Sequence, residues 1–267
     1  MRIARFVHPG SASGPAGVAW GVVEGPSGAS DDRLTVAAIA EHPFGAIEFT
    51  GDRWALPDVR LLAPILPSKV VAIGKNYADH VKEMGGDAPP ATPVLFLKPS
   101  TSVIGTGDAI RLPPTARRVD YEGELAVVIG RPGKDISRDA AASHVFGYTV
   151  ANDVTARDQQ ASDGQWTRAK GYDSFCPLGP WIETVLDPSD LALQTRVNTA
   201  IKQDGRTSQL VHDIPALIAF MSSVMTLLPG DVLLTGTPAG VGPLGDGDRV
   251  DVTIEGIGTL SNPVRAI

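Results

Sequence analysis

A run of acidic residues leading straight into a buried strand is the feature that most narrows the fold of this chain. Asp120-Tyr121-Glu122-Gly123-Glu124-Leu125 continues without a break into Ala126-Val127-Val128-Ile129-Gly130. The second half is short, apolar and β-branched, the composition of a buried strand. A strand that begins at the acidic residues puts Asp120, Glu122 and Glu124 on one face, with Tyr121 and Leu125 on the other. Carboxylates stacked in this way repel one another, and no Lys or Arg stands between them in the sequence. A divalent cation would offset the repulsion, because hard cations take carboxylate oxygens. The same pattern also suits a solvated strand edge, where charge discourages edge-to-edge pairing.

The 267 residues suit one large domain, or a large one with a small addition. A formal net charge of −7 argues against a general nucleic-acid surface. No stretch is long and apolar enough to span a bilayer, and the first residues lack the apolar core and cleavage site of a signal peptide. Cys176 is the single cysteine, so no internal disulfide forms, and a cytoplasmic location is expected. Set between apolar neighbours in Phe175-Cys176-Pro177-Leu178, it reads as a small buried residue rather than a nucleophile. Frequent Gly and Pro with scattered charges indicate a β-rich fold with many turns.

Residues 1–66 read as a small N-terminal domain. It holds strands at Arg2 to Val7 and Gly17 to Glu24, and its histidines, His8 and His42, are expected in loops. Pro57, Pro64 and Pro67 mark a linker, and residues 67–267 form the main domain. A strand from Lys69 to Gly74 opens it, and a short helix from Ala78 to Met84 ends at Gly85-Gly86. On that helix His80 and Glu83 share a face. A carboxylate beside an imidazole orients the ring and favours its protonated form, so the pair could activate a water on a mobile lid. An exposed polar helix turn is the plainer alternative.

Further along, Pro93-Val94-Leu95-Phe96-Leu97-Lys98-Pro99 is a short apolar strand ending in a cation. Asp153 stands at the end of a strand from Val145 to Ala151, where a third metal ligand could sit; Asp153 or Thr155 could equally cap a helix. A helical turn there would bring Arg157 and Gln160 to one side to meet an anion. Lys170 by itself reads as a surface cation. Asp204-Gly205 is a hairpin signal after a strand from Thr195 to Ile201. Pro215 to Leu228 has the spacing of a core-packed helix, with Met221 and Met225 as packing residues. The Gly236-Thr237-Pro238-Ala239-Gly240-Val241-Gly242 turn lacks the Gly-Lys-Ser/Thr ending of a P-loop, yet its amides could receive a carboxylate.

Five of these stretches, in one order, resemble the fumarylacetoacetate hydrolase family over about residues 67 to 267. They are Gly74 to His80, Phe96 to Pro99, Asp120 to Leu125, Asn152 to Asp158 and Gly236 to Gly242. The resemblance implies a β-rich α+β fold, a mixed β-roll with a small N-terminal domain, and a likeness to bacterial 2-hydroxyhepta-2,4-diene-1,7-dioate isomerases and acylpyruvases. It implies a Mg²⁺ or Mn²⁺ site formed by Glu122, Glu124 and Asp153, with Asp120 beside the ligands rather than among them. His80, Glu83 and Lys170 match catalytic positions, and Arg157, Gln160 and Thr237 match substrate contacts. The expected substrate is a small 2-oxo acid or dicarboxylate that chelates the metal, and the expected assembly is a homodimer. Hydrolysis of a C–C bond, decarboxylation and isomerisation through a metal-bound enolate all fit such a site. The role implied first is the isomerase or decarboxylase step of aromatic catabolism. Acylpyruvate hydrolase and oxaloacetate decarboxylase are the alternatives, and a metal-binding protein without turnover is the alternative of another class.

Overall fold

A computed structural model of the chain describes residues 1–11, 14–26, 28 and 30–267. The run from Gly123 to Ile129 is a strand buried along its whole length. Its Leu125, Val127 and Ile129 enter one hydrophobic core, and Ala126 and Val128 enter a second with Ala151, Val232 and Leu234. A strand covered on both faces needs neighbours on both edges to satisfy its backbone. Val145–Asn152 lies on one edge and Val232–Leu234 on the other, both antiparallel to it.

The sheet continues from Val232–Leu234 to Val70–Gly74 in parallel and then to Val94–Lys98. In the other direction Val145–Asn152 leads to Cys176–Glu183 and then to Arg2–His8, Gly17–Glu24, Thr35–Ile39 and Phe49–Ala55. The N-terminal strands therefore extend the main sheet, with Ile3 opposite Ile182. The proline-marked stretch is more ordered than a linker. Pro57 sits inside the Leu56–Asp58 3-10 turn, and Arg60–Leu62 pairs with Arg2–His8. His8 is the last residue of its strand and stacks on Trp54, whereas His42 lies in a loop. A second sheet, formed by Ala200–Arg206, Ala192–Val197, Arg249–Ile254, Gly258–Ala266 and Ile110–Leu112, closes over the first. The Trp181 indole N–H donates to Ile257 O at 2.8 Å across the two layers. The architecture is a β-rich α+β mixed β-roll with a small N-terminal domain.

Two local expectations give way. Asp204-Gly205 lies inside the Ala200–Arg206 strand, and the hairpin turns instead at Asn198, whose φ of 55° a short amide side chain tolerates. The acidic run does not form one strand either. Asp120 belongs to Val119–Tyr121, paired with Thr155–Ala156 and Gly242–Pro243 in a small sheet of its own. At Glu122 the ladder is interrupted, and its N–H donates to the Asn152 side chain at 2.9 Å. The core helix forms over Ile214–Val224, capped by Asp213, whose Oδ1 accepts from Ala216 N at 2.9 Å. Met221 is buried in its core.

Candidate active site

The break at Glu122 turns its carboxylate toward that of Glu124, and the end of Val145–Asn152 brings Asp153 to the same point. Asp153 N donates to Glu122 O at 2.8 Å, which fixes the two segments together. Carboxylate oxygens of Glu122, Glu124 and Asp153 lie within 4.8 Å of one another, and all three residues are buried. Asp120 stays outside this group. Arg118 grips it through two bonds of 2.8 and 3.0 Å, and Arg157 Nε reaches it at 2.9 Å.

The repulsion read from the sequence is largely cancelled by cations that arrive from elsewhere in the chain. Lys98 bonds Asp153 and donates to Val154 O at 3.2 Å. Lys170 is a buried cation, not a surface one; it sits 2.8 Å from Glu122 and also bonds Asp153. Burial works against the Lys170 charge, but Asp153 and Glu122 outweigh it and push its pKa up. Burial likewise opposes ionisation of Glu122, yet Arg157, Lys170 and His80 hold its carboxyl well below the usual range. Glu124 differs. Among the described residues its carboxylate has one hydrogen bond, from Gly236 N at 2.6 Å. Burial, then the charges of Asp153 and Glu122, push its carboxyl well above the ordinary value.

Three clustered carboxylates, one of them without a cationic partner among the described residues, fit a hard divalent cation such as Mg²⁺ or Mn²⁺.

His80 and Glu83 stand on the Ala78–Glu83 helix, which ends at Gly85, φ 80°, with Gly86 N donating to Val81 O and Gly85 N to Lys82 O. His80 is buried, and its Nδ1 lies 3.2 Å from Glu83 Oε2. The Glu83 carboxylate in turn accepts from Gly240 N at 3.0 Å. Only glycine fits there: φ is 102°, and a Cβ would stand 2.0 Å from Lys202 O. The glycine-rich turn thus receives carboxylates on its amides, at Gly236 and Gly240, but they are the protein's own.

Neither Asp153 nor Thr155 caps the Arg157–Ser162 helix. Asp153 is held by the two lysines, and the Thr155 hydroxyl donates to Asp153 O at 2.8 Å. Arg157 Nη1 donates to Gln160 Oε1 at 3.0 Å, so the expected pair forms, although the guanidinium is also engaged by Asp120 and Glu122. The Thr237 hydroxyl donates to Gly123 O and accepts from Gln203 Nε2. A cavity of about 80 Å³ is lined by Glu122, Glu124, Lys170, His80, Arg157, Gln160 and Thr237, together with Lys75 and Trp166 among others.

Lys98 and Gln203 were not singled out by sequence reasoning. For Lys98 a signal existed, a lysine at the end of an apolar strand; Gln203 offered none. Cys176 is buried, and burial pushes its thiol up to about 12, as suits a packing residue.

Comparison with known proteins agrees with this geometry. The family model for the fumarylacetoacetate hydrolase C-terminal domain matches residues 69–265, and that for an Rv2993c-like N-terminal domain matches residues 1–64. A solved structure called 2-hydroxyhepta-2,4-diene-1,7-dioate isomerase, from Mycobacterium marinum, is 56% identical with a TM-score of 0.90, covering 100% of this chain and 98% of that one. One called 5-carboxymethyl-2-hydroxymuconate delta-isomerase, from Mycobacterium smegmatis, is also 56% identical with a TM-score of 0.90, covering 100% of both chains. The oxaloacetate tautomerase YisK of Bacillus subtilis is 45% identical over 79% of this chain and 75% of its own length. A C-terminal match that spans the whole acidic cavity, with whole-chain likeness on either side of it, leads to one conclusion: this chain is an enzyme of the fumarylacetoacetate hydrolase family.

Proposed function

We propose that the enzyme is a divalent-metal-dependent isomerase of small 2-oxo dicarboxylates, relocating a proton between a carbon and the neighbouring 2-oxo oxygen. The observation that carries this reading is that Glu122 and Glu124, clustered with Asp153, line one small cavity together with His80, which is bonded to Glu83. The names of the relatives, isomerases of unsaturated diacids and a tautomerase of oxaloacetate, support it. Glu122, Glu124 and Asp153 would hold Mg²⁺ or Mn²⁺, and the ion, when bound, supplies Lewis-acid polarisation of the 2-oxo group.

The chain's own groups do the rest. With Nδ1 of His80 directed to Glu83, Nε2 is the nitrogen left to take a proton from carbon and deliver it to the 2-oxo oxygen, or the reverse. Glu83, tied to Gly240, orients the ring. Lys170 keeps its proton and serves as a fixed cation that offsets charge developing on the substrate oxygen. Arg157 and Gln160 present a joined polar edge to the substrate, and Thr237 contributes wall surface, since its hydroxyl proton is committed to Gly123. Cleavage of an acylpyruvate and decarboxylation of oxaloacetate would use the same groups. A homodimer, a cytoplasmic location, a domain division near residue 66 and a place in aromatic catabolism complete the proposal.

The test is a panel of oxaloacetate, acetylpyruvate and 2-hydroxyhepta-2,4-diene-1,7-dioate with Mg²⁺ or Mn²⁺ and a chelator control. The expected result is metal-dependent enol–keto exchange or double-bond migration, lost in Glu122→Ala. In His80→Ala the rate should fall by about 10²–10⁴-fold while metal binding persists. Cleavage of acetylpyruvate or loss of carbon dioxide without isomerisation would overturn the assignment, and an unchanged rate in His80→Ala would remove that residue from the mechanism.

A further inference from the structure

The ionisable side chains lining the cavity are Lys75, His80, Glu122, Glu124, Arg157 and Lys170. Arg157 and Lys170 are neutralised by Asp120, Glu122 and Asp153, and His80 is bound to Glu83. Among the cations of this set Lys75 is the exception. It is exposed, and among the described residues it has neither an ion pair nor a side-chain hydrogen bond. Its backbone has φ 62°, in the left-handed region that residues with a Cβ disfavour.

Both neighbours are closely held. A side chain on Gly74 would come within 2.7 Å of the Trp166 ring, which lines the same cavity. Buried Asn76 clamps the other side: its Nδ2 donates to His212 O at 3.0 Å and Thr235 O at 2.8 Å, and its Oδ1 accepts from His212 N at 2.8 Å. A cation without a counter-ion among the described residues thus extends from a left-handed, braced turn on the wall of the cavity.

We propose that Lys75 binds the second carboxylate of the substrate, the one remote from the acidic trio, and thereby selects dicarboxylates over 2-oxo monocarboxylates. This rests on the reading of the cavity as a 2-oxo acid site. An ammonium at the solvent edge suits an anionic group that the neutralised interior has no charge left to balance.

Lys75→Gly keeps the turn, since glycine adopts this φ freely, and removes the cation; Lys75→Arg keeps the cation. The substrates are oxaloacetate and its 4-methyl ester, with saturating Mg²⁺. Lys75→Gly should raise KM for oxaloacetate about tenfold, the size of one partly solvated charge-assisted hydrogen bond, with kcat changed by less than about twofold. The wild-type preference for oxaloacetate over the ester should shrink to match, and Lys75→Arg should restore it. A preference in Lys75→Gly within about twofold of wild type overturns the proposal.

A binding measurement separates this from the activity itself. Calorimetry on Mn²⁺-loaded protein would compare 2-oxoglutarate with 2-oxopentanoate, which lacks the second carboxylate. If wild type turns over no substrate but prefers 2-oxoglutarate, and Lys75→Gly loses that preference, the reaction assignment falls and the role of Lys75 stands. Equal preference in both proteins overturns the role of Lys75 whatever the turnover.

Discussion

Glu124 is the carboxylate whose replacement should separate folding from metal binding. Glu124→Gln keeps the shape of the side chain, and its carbonyl oxygen can still accept from Gly236 N, 2.6 Å away in the native protein. What changes is charge. An ionised Glu124 faces Glu122 and Asp153 with ligand oxygens inside 4.8 Å. Two unit charges at that distance repel by about 3.5 kcal/mol at an effective dielectric of about 20. Lys170 offsets part of this, which leaves an expected gain of about 1–2 kcal/mol for the amide once Glu124 would be ionised.

The folded carboxyl is raised above its unfolded value, so the wild-type side chain contributes stability below the ordinary carboxylate range and loses it as pH rises through the folded pKa. The advantage of Glu124→Gln should therefore be smaller at pH 5.5 than at pH 8. At about 2–4 °C per kcal/mol, the metal-free variant should melt about 2–8 °C above wild type at pH 8. Divalent cation reverses the order. At one hundred times Kd, binding adds about 2.7 kcal/mol to wild type, and the variant, with one anionic ligand fewer, should lose most of that. The assay is thermal unfolding with a chelator and with MnCl₂ at both pH values. A metal-free variant that melts below wild type at pH 8, or an equal Mn²⁺ shift in both proteins, would refute the reasoning.

Other perturbations follow from the same contacts. Lys98→Met leaves Asp153 with one of its two buried cationic partners and should cost about 3–5 kcal/mol, read as a melting point lower by about 6–20 °C; near-native melting would count against the pair. Gly240→Ala forces a Cβ toward Lys202 O and displaces the amide that holds Glu83, so stability should fall by about 1–3 kcal/mol and turnover with it, in unfolding and rate assays. Cys176, buried with its thiol pushed up to about 12, should resist alkylation at pH 8 in the folded protein and react only after unfolding, as mass spectrometry would report.

The buried strand after Asp120, the short helix stopped by Gly85 and the core helix opened by a proline were readable from local pattern, and the grouping of Glu122, Glu124 and Asp153 from the family resemblance. Period, caps and turn residues act over a few positions, so a linear sequence carries them. Side-chain type also sets the preference for a hard cation, whatever the fold.

The tertiary structure alone decided how the charges balance. Lys98, Arg157 and Lys170 come from segments remote from Glu122 in sequence and cancel a repulsion that looked uncompensated along the acidic run. The break at Glu122 that sends Asp120 to another sheet has the same kind of cause, because the Asn152 amide stands in for a ladder partner. So has the hairpin turning at Asn198 rather than Asp204-Gly205, where pairing with Ala192–Val197 sets the register. Electrostatic and hydrogen-bond energies depend on distance in space, and sequence separation does not encode distance until the strands have paired.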